Sequence, residues 1–290
     1  MMFLLGVLPA RHRRHAPIPS SIIAMTSHAR SAGFSLGSDM ATIGRLDRGD
    51  DVELAWIREE GRSPTVVFLP GFRSDMRGDK ATALAAYCAA RGQAMLRFDY
   101  SGHGASGGRF EDGTIGRWAA DALAVIDHAS DGPLVLVGSS MGGWIALLVA
   151  RARPERVVAL VGIAAAPDFT EVLMWQAMSF EQRATLMSSG VLHVPSQYGG
   201  QYPITRALIE DGRNHLLLHE PIALDCPVRL LHGQCDPDVP WEFALRIADQ
   251  VNSRDVRVVL VKDGDHRLSR PQDLALLQQT ISALLDEDRS

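Results

Sequence analysis

The chain has 290 residues, 46% of them hydrophobic, which suits one large α/β domain with an insertion better than two independent domains. Its charge is mild, net −5 with a pI near 6.0, and no basic stripe marks a nucleic-acid surface. No apolar run approaches the roughly 18 residues needed to cross a bilayer, and the three cysteines (Cys88, Cys226, Cys235) include no C-x-x-C pair. That count argues against a disulfide framework or a zinc site and fits a reducing compartment, with Cys88 in an apolar helical pattern as core.

The first stretch, "MMFLLGVLPARHRRHAP", puts Arg11, Arg13 and Arg14 after its apolar run, the reverse of a secretory signal. Residues 1–38 carry arginines and serines but no acidic residue, a composition that suits either a transit peptide or a start codon upstream of Met25 or Met40. Residues 1–40 are therefore expected to be a disordered extension without a part in the chemistry, and 41–290 the folded domain. The expected location is the cytoplasm, or the mitochondrion if the extension is a true transit peptide.

From residue 50 onward, short β-branched runs alternate with helical periods. "VELAWIR" (52–58) alternates as an antiparallel edge strand does; "TVVFLP" (65–70) is continuous, as in a strand buried on both faces. A helix is expected over 79–91, a strand over 94–99, and a turn-rich loop at "SGHGASGG" (101–108). A helix over 114–129 follows, with Thr114 as N-cap. Next come a strand over 133–138, a helix over 141–152 and a strand over 157–165. Residues 167–221 break the rhythm. Rich in Met, Trp, Gln and Ser and without strand runs, they read as a small helical lid. Alternation resumes with a strand at 227–232, a helix at 241–251, a strand at 256–261 and a helix at 271–286 that opens on Pro271. Strands separated by helices predict a mostly parallel sheet covered on both faces.

The chemistry gathers at the ends of these strands. "PLVLVGSSMGGW" runs from strand to helix through two serines. A serine at so sharp a turn needs small residues two before and two after it. Gly138 and Gly142 supply them for Ser140, whereas Ser139 has Val137 and Met141, so Ser140 is the expected nucleophile. Its base and orienting acid should follow in the order acid, then base, after late strands. Asp236 lies just past the strand "PVRLLHG", with Asp238 as a solvent-facing or helix-capping rival. His266 lies in the loop after "VRVVLV" and is the expected base. His232 reads as structural, His103 as a turn residue outside the proton relay, and His193, His215 and His219 lack the spacing of metal ligands. The oxyanion needs two backbone N–H donors: Met141, next after the nucleophile, and Phe72 in the loop "GFRSD" after an earlier strand. No metal and no cofactor are expected.

The combination "FLPGF", "LRFDYSGHGASGG", "LVGSSMGGW", "RLLHGQCDPDVPW" and "DGDHR" resembles the α/β-hydrolase superfamily. The insertion segments "GVLHVPSQY" and "HEPIALDCPVRLLHG" are similar to one branch of it, the palmitoyl-protein thioesterases and acyl-glucuronide esterases with their bacterial relatives. The likeness spans about Pro64 to Leu285. It implies a serine hydrolase of acyl thioesters or carboxylic esters, with Ser140, Asp236 and His266 as triad, Phe72 and Met141 as oxyanion donors, and a small molecule or an acylated protein as substrate. In the lid, Met174, Trp175, Met178, Phe180 and Met187 recur near helical spacing. Packing accounts for most of them, and Trp175 and Met178 are the candidates for an apolar wall around an acyl chain. Arg73 and Arg77, near the oxyanion loop, read first as solvated surface charge, with contact to a substrate carboxylate such as a glucuronate as the alternative. Rival readings are a peptidase or lactonase on the same fold, or a non-catalytic binding protein that keeps a hydrolase scaffold.

Overall fold

The computed structural model describes residues 41–195 and 200–287; the expectations for residues 1–40 fall outside them. Among the described residues, ten strands and seven helices follow in chain order: β1 (Ala41–Asp47), β2 (Glu53–Glu59), β3 (Arg62–Leu69), α1 (Asp79–Arg91), β4 (Gln93–Phe98), α2 (Ile115–Ala129), β5 (Leu134–Ser139), α3 (Met141–Ala152), β6 (Val157–Ile163), α4 (Phe180–Ser189), β7 (Val191–Pro195), β8 (Gln201–Thr205), α5 (Arg206–Gly212), β9 (Val228–Gly233), α6 (Glu242–Gln250), β10 (Val256–Val261) and α7 (Pro271–Glu287).

Eight strands form one sheet in the order β1-β2-β4-β3-β5-β6-β9-β10. The run from β4 to β10 is parallel, and β1 and β2 are antiparallel to their neighbours. The strand over 52–58 is antiparallel as expected, but it is not the edge. β1 covers it along its whole length, from Ala41 opposite Glu59 to Asp47 opposite Glu53. Mostly exposed and interrupted by Gly44, β1 carries little of the hydrophobic pattern that announces a strand.

Alternate residues of the central strands face two apolar layers, the period-2 rule at work. Val66, Phe68, Val135 and Val137 pack with Ala81, Leu84 and Cys88 of α1 and Leu277 and Ile281 of α7. Val67, Leu69, Leu134 and Leu136 pack with α2, α3 and α6 on the other face, where Trp118 and Trp144 are fully buried. At about 25 cal/mol per Å² of apolar area removed from water, a large buried Trp or Leu stabilises by about 2–3 kcal/mol, so this two-sided burial dominates the fold. Caps sharpen the helix ends. Thr114 Oγ1 accepts the Arg117 N–H at 3.2 Å, and α1 ends on Gly92 at φ 63°.

Between β6 and β9 the insertion carries helical pieces, as expected: a π-type turn over Thr170–Trp175, then α4 and α5. It also carries an unexpected antiparallel hairpin, β7–β8, from Val191 opposite Thr205 to Pro195 opposite Gln201. Its two prolines, Pro195 at the end of β7 and Pro203 in the middle of β8, mask a strand signal in the sequence. Among the described residues no helix is long and apolar enough to cross a membrane.

Chain order places the site. β3 continues through α1 to β4 on one side, and β5 returns on the other side of β3. The carboxyl ends of β3 and β5 therefore flank a switch point, where open α/β sheets leave a crevice.

Candidate active site

Ser140 stands at that switch point, between the last residue of β5 and the first of α3, with φ 54° and ψ −119°. A non-glycine residue holds such a conformation only when its surroundings impose it. Here the glycines do so by absence of bulk. A Cβ on Gly138 would lie 2.3 Å from the carbonyl oxygen of Gly142, and one on Gly142 would lie 2.0 Å from that of Leu69. Both contacts are with backbone, so Gly142→Ala is expected to force α3 off β3. We expect a loss of about 3–5 kcal/mol in thermal or denaturant unfolding; a variant as stable as the parent would show that the elbow tolerates bulk. Ser139 is buried within β5, as a spacer.

The structure brings Ser140, His266 and Asp236 into one hydrogen-bonded chain. His266 Nε2 lies 3.1 Å from Ser140 Oγ, and His266 Nδ1 lies 2.8 Å from Asp236 Oδ2. Asp236 sits in the loop after β9 and His266 in the loop after β10. The loops are stitched where the Cys235 N–H donates to the Gly264 carbonyl at 2.9 Å. Asp236 Oδ1 accepts the N–H groups of Asp238 and Val239, each at 2.8 Å. Burial alone would raise the Asp236 carboxyl, but hydrogen bonds from His232 and His266 outweigh it and hold the group well below the usual carboxylate range. Asp236, Asp238 and His266 present ligand atoms within 4.8 Å of one another. Both Asp236 oxygens already accept hydrogen bonds within this cluster.

Met141 opens α3, so its N–H has no acceptor within the helix. Phe72 lies in the turn after β3, closed by the Ser74 N–H donating to the Gly71 carbonyl at 3.0 Å. That turn runs directly over the serine: a Cβ on Gly71 would lie 3.3 Å from Ser140 Cβ. The Phe72 ring meets Phe110, Trp118, Phe169 and Tyr202 edge to face at centroid distances of 5.0–6.0 Å.

A cavity of about 800 Å³ opens over the serine. Its lining includes apolar groups, Ala166, Phe169, Leu173, Met174 and Tyr202 from the end of β6 and the insertion, and polar ones, Ser74, Asp75, Lys80, Arg267 and Ser269. Trp175 and Met178, expected in the wall, do not line it. Met178 is buried with Leu186, Ile204 and Ile209 in the insertion's own core, and Trp175 is sandwiched by the guanidinium groups of Arg183 and Arg213 at 5.2 and 4.7 Å. The π-type turn rotates Leu173 and Met174 into the cavity instead. Arg73 is exposed, as expected, and also borders the cavity, with its guanidinium 5.2 Å above the Tyr202 ring.

Three partners of the site escape the sequence reading. His232 Nε2 lies 3.0 Å from the Val239 carbonyl and 3.3 Å from Asp236 Oδ2, so it braces the acid. Lys80, brought down to about 8 by burial, donates to the Arg267 carbonyl beside His266 and lies 3.5 Å from Ser269 Oγ. His103 touches the Phe72 turn through the Arg73 N–H at 3.2 Å. The signals are present in "LLHG" and "SGHGAS", but neither motif says which neighbour a ring nitrogen meets.

Comparison with known proteins gives the family of the chain. The sequence profile of a family described as serine aminopeptidase, S33, matches residues 62–205. Human mitochondrial palmitoyl-protein thioesterase ABHD10 is 45% identical over 244 residues, 83% of this chain and 79% of the relative. The chain belongs to the α/β-hydrolase family. This hydrolase superposes on the mouse alpha/beta hydrolase domain-containing protein 10 with a TM-score of 0.80 at 42% identity, over 85% of this chain and 99% of that one. A putative hydrolase from Agrobacterium vitis S4 gives 0.81 at 42% identity over the same shares. The hydrolase is accordingly a serine hydrolase, with the mostly parallel sheet of its family.

Proposed function

We propose that this hydrolase cleaves acyl thioesters and carboxylic esters through Ser140, His266 and Asp236. The observation that carries the reading is the continuous hydrogen-bonded chain from Asp236 through His266 to Ser140, in a cavity that Phe169, Leu173 and Met174 help to line. His266 Nε2 takes the Ser140 proton as Oγ bonds to the acyl carbon, and Asp236 fixes the tautomer and steadies the imidazolium that forms. The N–H groups of Met141 and Phe72 receive the negative charge that develops on the carbonyl oxygen. His266 returns the proton to the leaving sulfur or oxygen as the acyl-enzyme forms. Water, activated by the same imidazole, then releases the acid. No step calls for a cofactor.

The acyl chain belongs against Phe169, Leu173 and Met174, where burial of each methylene contributes about 0.8 kcal/mol. The leaving group belongs with the polar lining, next to the returning proton. Relatives named as palmitoyl-protein thioesterases favour an S-acylated protein among such substrates, whereas the family description names an aminopeptidase. The two part experimentally. Rates on p-nitrophenyl esters of rising chain length, on S-acyl peptides and on aminoacyl anilides should show kcat/KM rising with chain length and thioesters leading amides by about 10²-fold or more. Faster anilide cleavage would sink the ester and thioester reading.

A further inference from the structure

His103 belongs to the loop after β4, 30 residues from the Phe72 turn, yet its ring is buried against it. Both ring nitrogens have partners. Nδ1 lies 3.2 Å from the Ser101 carbonyl oxygen, which can only accept, and Nε2 lies 3.2 Å from the Arg73 N–H, which can only donate. One protonation state satisfies both: neutral imidazole with its hydrogen on Nδ1. The N–H that Nε2 accepts belongs to the peptide joining Phe72 to Arg73, immediately after the oxyanion donor. Arg73 itself is at φ 58°, a left-handed conformation that an arginine keeps only when held.

The surrounding packing references both residues to one scaffold. The His103 ring lies edge-on to Phe110 and Trp118 at 5.2 and 5.1 Å, and the Phe72 ring meets the same two side chains at 5.0 and 5.9 Å. Tyr100 closes the remaining side at 5.7 Å. We infer that neutral His103 is a positioning residue for the reaction, its Nε2 holding the Phe72–Arg73 peptide so that the Phe72 N–H faces the developing oxyanion. This rests on the oxyanion role proposed above for Phe72.

Protonation would turn the acceptor into a donor pointed at another N–H and release the turn. Burial disfavours that charge and keeps the ring neutral, against the pull of the Ser101 carbonyl and of Asp75 on the β3–α1 loop. The other ionisable groups of the neighbourhood are Tyr100, and Asp99 at the end of β4, whose Oδ2 accepts the Ala105 N–H. On α2, Asp121 and Arg117 both bond Ser101, and the Arg73 guanidinium lies toward the cavity.

The test is a pair of variants assayed on p-nitrophenyl butyrate with melting temperatures measured alongside. His103→Phe keeps the aromatic contacts and removes the acceptor. Removal of an oxyanion donor costs about 10²–10³ in kcat, so a misaimed one should lower kcat by about 10- to 100-fold with KM changed by less than about threefold. His103→Gln places an amide oxygen near the Nε2 position and should restore most of that kcat. Glutamine does not titrate, so the acid limb of its kcat profile should be shallower than in the parent, where protonation of His103 also releases the Phe72–Arg73 peptide. Parental kcat in His103→Phe, or no recovery in His103→Gln, overturns the inference. Should His103→Phe fail to fold, an unchanged acid limb in His103→Gln overturns it instead. Activity that survives Ser140→Ala would overturn the underlying reading of the site. Loss of activity in Ser140→Ala beside parental kcat in His103→Phe would overturn this inference alone.

Discussion

Replacing Ser140 by Ala is expected to lower kcat by about 10⁶-fold and to abolish labelling by a fluorophosphonate, because its Oγ is the hydroxyl that meets His266 Nε2. Ser140 Oγ faces His266 Nε2 at 3.1 Å, whereas Ser139 is buried as the last residue of β5. Ser139→Ala should therefore label at the parental rate. Ser140→Ala keeps a Cβ at the same strained φ of 54° and should melt close to the parent. Ser140→Gly, which has no Cβ to strain, should melt higher, by the equivalent of about 1 kcal/mol, while equally inactive. That pairing, stability gained where activity is lost, is the signature of strain held for function. Mass spectrometry of the labelled protein reads the site directly. A probe adduct on Ser139, or on any residue of Ser140→Ala, would remove Ser140 from the mechanism.

The strength of the sequence reading varies with the range of the interaction being read. α1 and β10 match their expected bounds, and Thr114 caps α2, because period, turn residues and caps are local. Ser140 is separable from Ser139 for a similar reason: the requirement is steric, at offsets of two residues, and only glycine passes at Gly138 and Gly142. Chain order on this fold places Asp236 and His266, a long-range rule but a shared one. What fails depends on the rotation of side chains in the insertion. Met174 and Trp175 are adjacent, and a six-residue π-type turn decides that Met174 faces the cavity while Trp175 lies between two arginines. Helical spacing cannot express that rotation. β1 escapes notice because pairing with its register partner, β2, holds it in place rather than burial of an apolar face of its own. His232 and His103 read from sequence as structural or turn residues. Their chemistry lies in what each ring nitrogen touches, and that is decided by loops far apart in sequence.

Asp236→Asn should cut kcat by roughly 10⁴-fold, the loss that the same change causes in serine proteases, and the local hydrogen bonds say why. Asp236 Oδ1 accepts two backbone N–H groups, from Asp238 and Val239. An asparagine will put its only oxygen there, since an NH₂ facing two N–H donors is untenable. Its NH₂ then occupies the Oδ2 position, 2.8 Å from His266 Nδ1. A donor at that point forces the imidazole to carry its hydrogen on Nε2, the nitrogen that must accept from Ser140. The base is present but in the wrong tautomer, so fluorophosphonate labelling should be slow yet reach completion, unlike Ser140→Ala, which should never label. The carboxylate also has a stability signature. Its native pKa is held below the ordinary value, so its contribution to folding is fully present above the ordinary carboxylate range and is lost as the pH falls toward the depressed native value. The parent should lose stability over that acid interval more steeply than Asp236→Asn, and the two unfolding curves should converge at the acid end. Parallel curves, together with kcat within about tenfold of the parent, would mean that Asp236 neither orients His266 nor carries the charge assigned to it.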